Sequence, residues 1–511
     1  MSTIDADRFK DLGNHEFKLG NFGKAVMLYG NAIDVAMPDV GKEEFDTTLD
    51  TPTASPKVRG NKEIMADFPS LHIYYSNRAL GQNKLENYGS AVSDATKAIN
   101  LVPNFSKAYY RRGCSKVALA KYKEALKDFE RCCQLVPSDL DAQARVKECK
   151  REVQMQAFAK AIATDVTAKP SETVKLDSFV VPDDYEGPRF DEGDVPSEEF
   201  LLGMLEWFKA QKLLPPKYAY KIALLANKLF ASQCTLTEVD IATEAKITIC
   251  GDVHGQFYDL LNIFEINGVP SSSNAYLFNG DFVDRGSFSV EVILTLMAFK
   301  VAYPNHMHLT RGNHEAKSMN KLYGFEGEIV SKYEQRLYAL FCEVFCQLPL
   351  AHLINRKIFV VHGGLFSKDD VTLDEISKIN RFCEPPDQGL MSDMLWADPI
   401  AVRGRHPSKR GVGLSFGPDI TEAFCTLNGI QLVVRSHEVK DGGFEFEHGG
   451  KLVTVFSAPN YCDQMNNKGA FLVVTFPVPG GDANVEPVTF TAVPHPPVRA
   501  MQYANRAIFG Q

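Results

Sequence analysis

Six times along its C-terminal two-thirds, the chain repeats one pattern: a short apolar run ending in a polar residue held in a glycine-containing or similarly tight turn. The runs are KITICGDVHG (246–255), AYLFNGDFVDRG (275–286), HMHLTRGNHE (306–315), KIFVVHGG (357–364), IQLVVRSHE (430–438) and KLVTVFSAPNYC (451–462). Apolar runs of this length suit strands buried between layers. Polar residues at the C-terminal ends of successive strands build one site along one edge of a sheet. The intervening stretches, such as Val290–Tyr303 and Lys332–Gln347, read as amphipathic helices.

The delivered residues have a consistent chemistry. Asp252, His254, Asp281, Asn313, His362 and His437 are hard or borderline donors, a mixture that suits zinc, iron or manganese. No cysteine is among them, which argues against a structural zinc site. Six such donors can hold two ions about 3.5–4 Å apart with one carboxylate between them, and such a pair acidifies a bridging water. Hydrolysis of a phosphate ester also needs charge on the phosphoryl oxygens held and the leaving group protonated. Arg285 and Arg410 offer planar guanidinium groups for the first task, with Arg311 as a further candidate. His314 follows Asn313 directly and can act as general acid, with Asp284 to orient it. GDxHG alone is a weak signal. Followed at intervals of about 30 residues by GDxxDRG and then GNHE, it is a strong one. His15, His72, His306, His308, His352, His406, His448 and His495 lie outside these turns and read as structural or solvated.

The N-terminal third has a different period. Ala91, Ala98 and Pro103 recur 34 residues on as Ala125, Cys132 and Pro137, and Ala79 and Tyr88 recur as Gly113 and Tyr122. This is the tetratricopeptide (TPR) spacing, in which small residues let the two helices of a hairpin approach and a proline ends the unit. A looser first unit contains Leu12, Gly13, Phe22, Ala25, Tyr29 and Ala32. About 32 extra residues separate it from the second. They fall near 38–68, contain TLDTPTASPK and read as a loop. Residues 142–164 read as one more helix, capping the open end of the array. The expected organisation is a TPR domain over 1–165, a linker over 166–198, a catalytic domain over 199–497 and a C-terminal helix over 498–511.

Composition narrows the function classes. Hydrophobic residues make up 45% and charged residues 23%, with a net charge of -9, so neither a disordered chain nor a general nucleic-acid binder is expected. No apolar stretch reaches the ~20 residues of a membrane span. Eleven scattered cysteines without a C-x-x-C pair point to a reducing compartment, hence the cytoplasm, with the nucleus as an additional site.

GDVHGQFYDL, GDFVDRG, RGNHE, HGGL, MLWADP, RSHE and SAPNYCDQM resemble the PPP-type serine/threonine protein phosphatases over roughly 199–497. The resemblance implies an α/β metallophosphoesterase domain, a central β-sandwich flanked by helices, behind the all-α TPR array. It implies two divalent ions, Mn2+ or Fe/Zn, with Asp281 bridging. Asp252 and His254 would hold the first; Asn313, His362 and His437 the second. Arg285, Asn313 and Arg410 would contact phosphate, His314 would be the acid with Asp284 behind it, and Tyr461 would line the substrate mouth. In the array, Lys10, Asn14, Asn77, Lys107 and Arg111 fall on first helices facing the groove and resemble the carboxylate clamp of TPR co-chaperones. That family binds the acidic C-terminus of heat-shock protein 90 or 70. Glu86 resembles an autoinhibitory contact, and the C-terminal helix a second one. Fatty acids are implied as activators. The expected function is metal-dependent dephosphorylation of phosphoserine and phosphothreonine. The alternatives are a TPR co-chaperone scaffold and a nucleotide phosphoesterase on the same fold.

Overall fold

The structure, a computed structural model, describes residues 3–37, 65–162, 168–190, 193–243 and 245–504. It divides into two compact units, 1–166 with 408–412 and 510–511, and 167–407 with 413–509.

In the first unit, α1 (Thr3–Lys18) and α2 (Phe22–Ala36), α3 (Leu71–Lys84) and α4 (Tyr88–Leu101), and α5 (Ser106–Ala118) and α6 (Tyr122–Leu135) form three hairpins, followed by α7 (Leu140–Ile162). The small residues act as their period predicts. A Cβ on Gly13 would lie 2.7 Å from the Tyr29 ring, and one on Gly113 would lie 2.8 Å from the Phe129 ring. Ala25, Ala32, Ala79, Ala91, Ala98 and Ala125 are fully buried. A second periodic device is charged. Arg78 grips Asp94 through two hydrogen bonds of 2.8 Å, and 34 residues on Arg112 grips Asp128 at 3.0 and 2.6 Å. Most of the expected insertion, 38–64, lies outside the described residues. Its end does not: residues 65–67 are helical, and Met65 and Phe68 pack against the core that contains Ile33 and Tyr74.

In the second unit α8 (Glu198–Lys209) and α9 (Pro216–Ser232) precede β1 (Leu236–Val239) and β2 (Lys246–Cys250). Then come α10 (Phe257–Asn267), β3 (Ala275–Phe278), α11 (Ser289–Ala302), β4 (Met307–Leu309), α12 (Lys317–Tyr323), α13 (Phe325–Lys332) and α14 (Gln335–Gln347). After β5 (Ala351–Ile354) and β6 (Ile358–Val361) follow α15 (Leu390–Trp396), β7 (Asp398–Pro399), β8 (Arg405–Pro407), β9 (Leu414–Phe416) and α16 (Pro418–Asn428). The last strands are β10 (Leu432–Arg435), β11 (Phe444–Glu447), β12 (Leu452–Val455), β13 (Gly469–Thr475) and β14 (Asn484–Phe490).

Two mixed sheets, ordered β1-β5-β6-β10-β12-β11 and β14-β13-β2-β3-β4, face each other. Between them Ile247, Ile249, Leu277 and Leu472 meet Val360, Val434 and Val455. The outer faces carry helices: Phe278 and Phe471 join residues of α9–α11, and Phe359 and Val433 join Met394, Leu395 and Phe424. This is the expected sandwich. All six motif strands are parallel to a motif neighbour within their own sheet: β2, β3 and β4 in one, β6, β10 and β12 in the other. Their C-terminal ends therefore collect on one edge. There the sheets touch, with Asp252 bridging Phe456. A Cβ on Gly251 would lie 2.0 Å from the Val455 carbonyl, so that contact requires glycine.

Three expectations change. Helix α11 is buried from Ser289 through Val301 rather than amphipathic, because it lies under other helices as well as over a sheet. Its two charges are compensated inside the fold: Glu291 meets Lys332 Nζ at 2.7 Å, and Lys300 Nζ donates to the Pro304 carbonyl. The described part of the expected linker packs on this unit: Val174, Leu176, Phe179 and Tyr185 cover its core, and Ser171 donates to Glu343. The expected C-terminal helix is absent over 498–504, which runs as turns. The Met501 N–H donates to the Arg285 carbonyl at 2.7 Å instead of to a helical partner. The remainder, 505–511, lies outside the described residues.

Candidate active site

The strand-end turns place their polar side chains by adopting backbone that most residues avoid. His254, Asp281, Asp284, Arg285 and His437 all have positive φ, between 41° and 70°. Such conformations persist where surrounding structure over-determines them. Here the turns lock one another. Gly312 approaches Asp281 so closely that a Cβ there would lie 2.2 Å from Asp281 Oδ1. Glu315, fully buried, accepts from the backbone N–H groups of Asp281, Phe282 and Gly312 at 2.8, 2.9 and 2.8 Å.

The six expected metal donors converge. His254 Nε2 lies 3.7 Å from Asp252 Oδ2 and 3.6 Å from Asp281 Oδ2. His362 Nε2 lies 3.3 Å from Asp281 Oδ2, 2.9 Å from Asn313 Oδ1 and 3.3 Å from His437 Nδ1. The His437 N–H donates to Asp252 Oδ1. Two groupings have ligand-atom spacing: His254, Asp281 and His314, and Asp281, His362 and His437. Asp281 is common to both, as a bridge requires. His314 joins the first group, although the sequence gives it another task.

Protons on the rings do not account for this set of contacts. His254 Nδ1 faces the Val283 carbonyl at 3.0 Å and His362 Nδ1 faces the Asn279 carbonyl at 2.8 Å. Each ring must donate there, which leaves a lone pair on Nε2 of the neutral imidazole. Those lone pairs point at carboxylate and amide oxygens, which also carry lone pairs. Burial lowers the pKa of both rings, His254 to well below 6.5, so a second ring proton is disfavoured. Burial likewise pushes Asp252 up to about 7 and Glu315 up to about 8. Acceptors facing acceptors among buried carboxyls is the arrangement that divalent ions stabilise. The residues present therefore fit a dinuclear metal centre.

His314 and Asp284 form a second pair. His314 Nδ1 meets Asp284 Oδ2 at 2.8 Å, and both are buried. Asp284 also accepts from the Phe325 N–H and from Asn320 Nδ2. Arg285 lies with its guanidinium carbon 3.7 Å from the Tyr323 ring centroid. The Tyr461 ring is 5.1 Å from that of His254. Arg311 is not available for phosphate: its guanidinium donates to the carbonyls of Glu315, Arg381 and Cys383, a structural role. Arg410 lies on the β8–β9 connection, in the segment 408–412 grouped with the first unit, where its N–H donates to Ser408 Oγ. Sequence reading missed Glu315, Asn320 and Asn279. The tetrad GNHE contains Glu315, but a brace for backbone amides has no signature of its own.

In the first unit the five groove residues occupy first helices, and three of them are joined. Asn77 Nδ2 donates to Asn14 Oδ1, and Arg111 Nη1 donates to Asn77 Oδ1 and Ser76 Oγ. Burial lowers Arg111 to about 10. Lys10 bridges Asp7 and Asp11 at 3.0 and 3.3 Å. Lys107 has no ion-pair or hydrogen-bond partner among the described residues. Glu86 sits in the turn between α3 and α4 with φ +63°.

Comparison with known proteins agrees with this geometry. Residues 245–441 match the calcineurin-like phosphoesterase profile, and residues 146–238 match a PPP5 TPR repeat region profile. The chain is 51% identical over 501 residues to human serine/threonine-protein phosphatase 5, covering 98% of this chain and 93% of that protein. It is 46% identical over 502 residues to serine/threonine-protein phosphatase T of Trypanosoma brucei brucei, covering 98% of each. Among solved structures, a Saccharomyces cerevisiae protein serine/threonine phosphatase with similarity to human PP5 superimposes with a TM-score of 0.58. It is 45% identical, covering 60% of this chain and all of that one. With identity at this level over nearly its whole length, the chain belongs to the serine/threonine-protein phosphatase 5 family.

Proposed function

We propose that this enzyme, a serine/threonine protein phosphatase with a TPR region, hydrolyses its phosphoester at the Asp281-centred cluster. The observation that carries the reading is the 2.9 Å approach of His362 Nε2 to Asn313 Oδ1 beside Asp281, an arrangement of acceptors that calls for a cation. Asp252, His254 and Asp281 would hold one ion, and Asp281, Asn313, His362 and His437 the other. When bound, the ions supply Lewis acidity toward water and the phosphoryl oxygens. Manganese or an iron–zinc pair suits these donors equally.

The chain's own groups do the rest. Arg285, supported from below by Tyr323, holds phosphoryl oxygens, with Asn313, Arg410 and Tyr461 completing the substrate contacts. Asp284 accepts from Nδ1 and stabilises the doubly protonated ring, so that the Nε2 proton is the one given to the departing serine or threonine oxygen and the neutral Nδ1–H ring remains. Burial of both keeps that proton from exchanging freely with solvent.

The groove of the first unit is read as a carboxylate clamp for an acidic C-terminal peptide of the heat-shock protein 90 type. Support comes from the Asn14–Asn77–Arg111 chain, which presents a guanidinium whose charge is poorly solvated, and from the unengaged Lys107. Peptide or fatty-acid occupancy of this unit is proposed to raise turnover by relieving a contact made by Glu86. One experiment tests these together: manganese-dependent phosphate release from a phosphothreonine peptide by wild type, His314→Ala and Glu86→Ala, each with and without an EEVD-ending peptide. The reading expects His314→Ala to abolish turnover and Glu86→Ala to match peptide-activated wild type. A Glu86→Ala variant that still responds fully to peptide would remove the contact from the account, and an active His314→Ala would remove the acid.

A further inference from the structure

The general-acid pair rests on one side chain to which neither the motifs nor the resemblance assigns a role. Asn320, on α12, is fully buried. Its Nδ2 donates to Asp284 Oδ2 at 3.1 Å and to the His314 carbonyl at 2.7 Å. Those two acceptors belong to different members of the pair, since Asp284 holds Nδ1 of the His314 ring and the carbonyl belongs to the His314 backbone. A single amide therefore ties the ring's carboxylate partner to the ring's main chain. Only a group with two N–H donors on one atom can do this; a hydroxyl supplies one donor and a carboxylate none. The other end of the same amide is left without compensation: Asn320 Oδ1 is buried with no hydrogen-bond partner among the described residues. Buried polar groups are nearly always satisfied, and exceptions gather where function requires the residue. The rest of the local element has the same purpose. The Tyr323 carbonyl accepts from the Arg285 N–H at 3.1 Å, and the Phe325 N–H donates to Asp284 Oδ1 at 2.9 Å.

We propose that Asn320 is a positioning residue for proton transfer, holding the Asp284–His314 pair in the orientation from which His314 protonates the leaving oxygen. The proposal rests on the reading of His314 as general acid given above. Proton donation matters when the leaving group is an alkoxide, as from phosphoserine, and hardly at all when it is a stabilised phenolate. A positioning defect therefore has a signature that simple loss of structure lacks.

The test uses the full chain with manganese and compares kcat/KM for a phosphoserine peptide with that for p-nitrophenyl phosphate. Wild type, Asn320→Ala, Asn320→Ser and His314→Ala are measured, with thermal melting of each. The expected result is a fall of about 10- to 100-fold in the peptide-to-aryl ratio for Asn320→Ala, a smaller fall for Asn320→Ser, which keeps one donor, and a larger one for His314→Ala. If His314→Ala lowers the ratio while cooperatively folded Asn320 variants keep the wild-type ratio, the positioning role is overturned and the acid stands. If His314→Ala itself keeps the ratio, the acid reading fails and the Asn320 proposal with it.

Discussion

The two units use buried polarity in opposite ways. In the helical unit, the charged pairs Arg78–Asp94 and Arg112–Asp128 repeat with the fold and staple the second and third hairpins, while the groove residues lie on a different face. Shape is set by small residues, such as Gly13 under Tyr29 and Gly113 under Phe129, and the link to the groove is a single contact of a packing partner, the Tyr29 hydroxyl donating to Asn14 Oδ1 at 2.9 Å. In the sandwich the same residues do both jobs. Asp281 accepts the His314 N–H at 2.8 Å and faces His254 and His362, so the carboxylate that would bridge two ions also joins two strand-end turns. A repeat can keep most of its scaffold apart from its ligand residues; a site built where two sheets meet cannot. Substitutions should therefore separate binding from stability in the first unit and confound them in the second.

The largest effect is expected at Asp281. Asp281→Asn removes charge from between His254 and His362 and should lower turnover by about 10³-fold or more, with loss of bound metal. Binding of an EEVD-ending peptide, followed by calorimetry, should be unchanged; a parallel loss would show that the substitution disturbs more than the metal site. In the groove, Lys107→Ala should weaken that peptide by about 10- to 100-fold, the worth of a charge-assisted hydrogen bond, without shifting the melting transition. A lowered melting temperature would show that Lys107 serves the fold. Gly113→Val reverses this: overpacking against Phe129 should cost the helical unit about 1–3 kcal/mol and leave kcat on p-nitrophenyl phosphate within about twofold. Two calorimetric transitions, only one of them moved, would be the supporting record.

The smallest effect concerns His495, whose Nε2 lies 3.1 Å from Asp463. Burial pulls its pKa down, but the Pro496 carbonyl and Asp463 outweigh burial and leave it above 6.5. A raised folded-state value means that the contribution is complete below pH 6.5 and is lost as pH rises through the folded value. Hydrogen exchange of 493–504 should therefore quicken as pH rises above 6.5, beyond the intrinsic base-catalysed rise, and His495→Gln should remove that excess. An unchanged excess in the variant would place the titrating group elsewhere.

Much of this was legible because the motifs encode position as well as chemistry. Each apolar run tells where a strand ends, and parallel pairing then brings Asp252, Asp281, Asn313, His362 and His437 to one edge. What escaped is polarity whose purpose depends on distant neighbours. Arg311 sits beside Asn313 in sequence, yet its guanidinium reaches the carbonyls of Arg381 and Cys383 some 70 residues on. Glu315 and Asn320 bond to turns that only the fold brings near. The charges of α11 read as a wet face because Lys332, which compensates Glu291, lies 41 residues away. The C-terminal segment misled over 498–504 for the converse reason: its apolar spacing reads as helical, but the Met501 and Gln502 amides are engaged by Arg285 and Ser287.

The central claim is that the Asp281 cluster holds two ions. The direct measurement is metal stoichiometry, by mass spectrometry of the purified, active full-length chain, set against Asp281→Asn. The account predicts two divalent ions per chain in wild type and about one or fewer in the variant. A fully active wild type with a single ion, or an Asp281→Asn variant that still binds two with undiminished affinity, would contradict it.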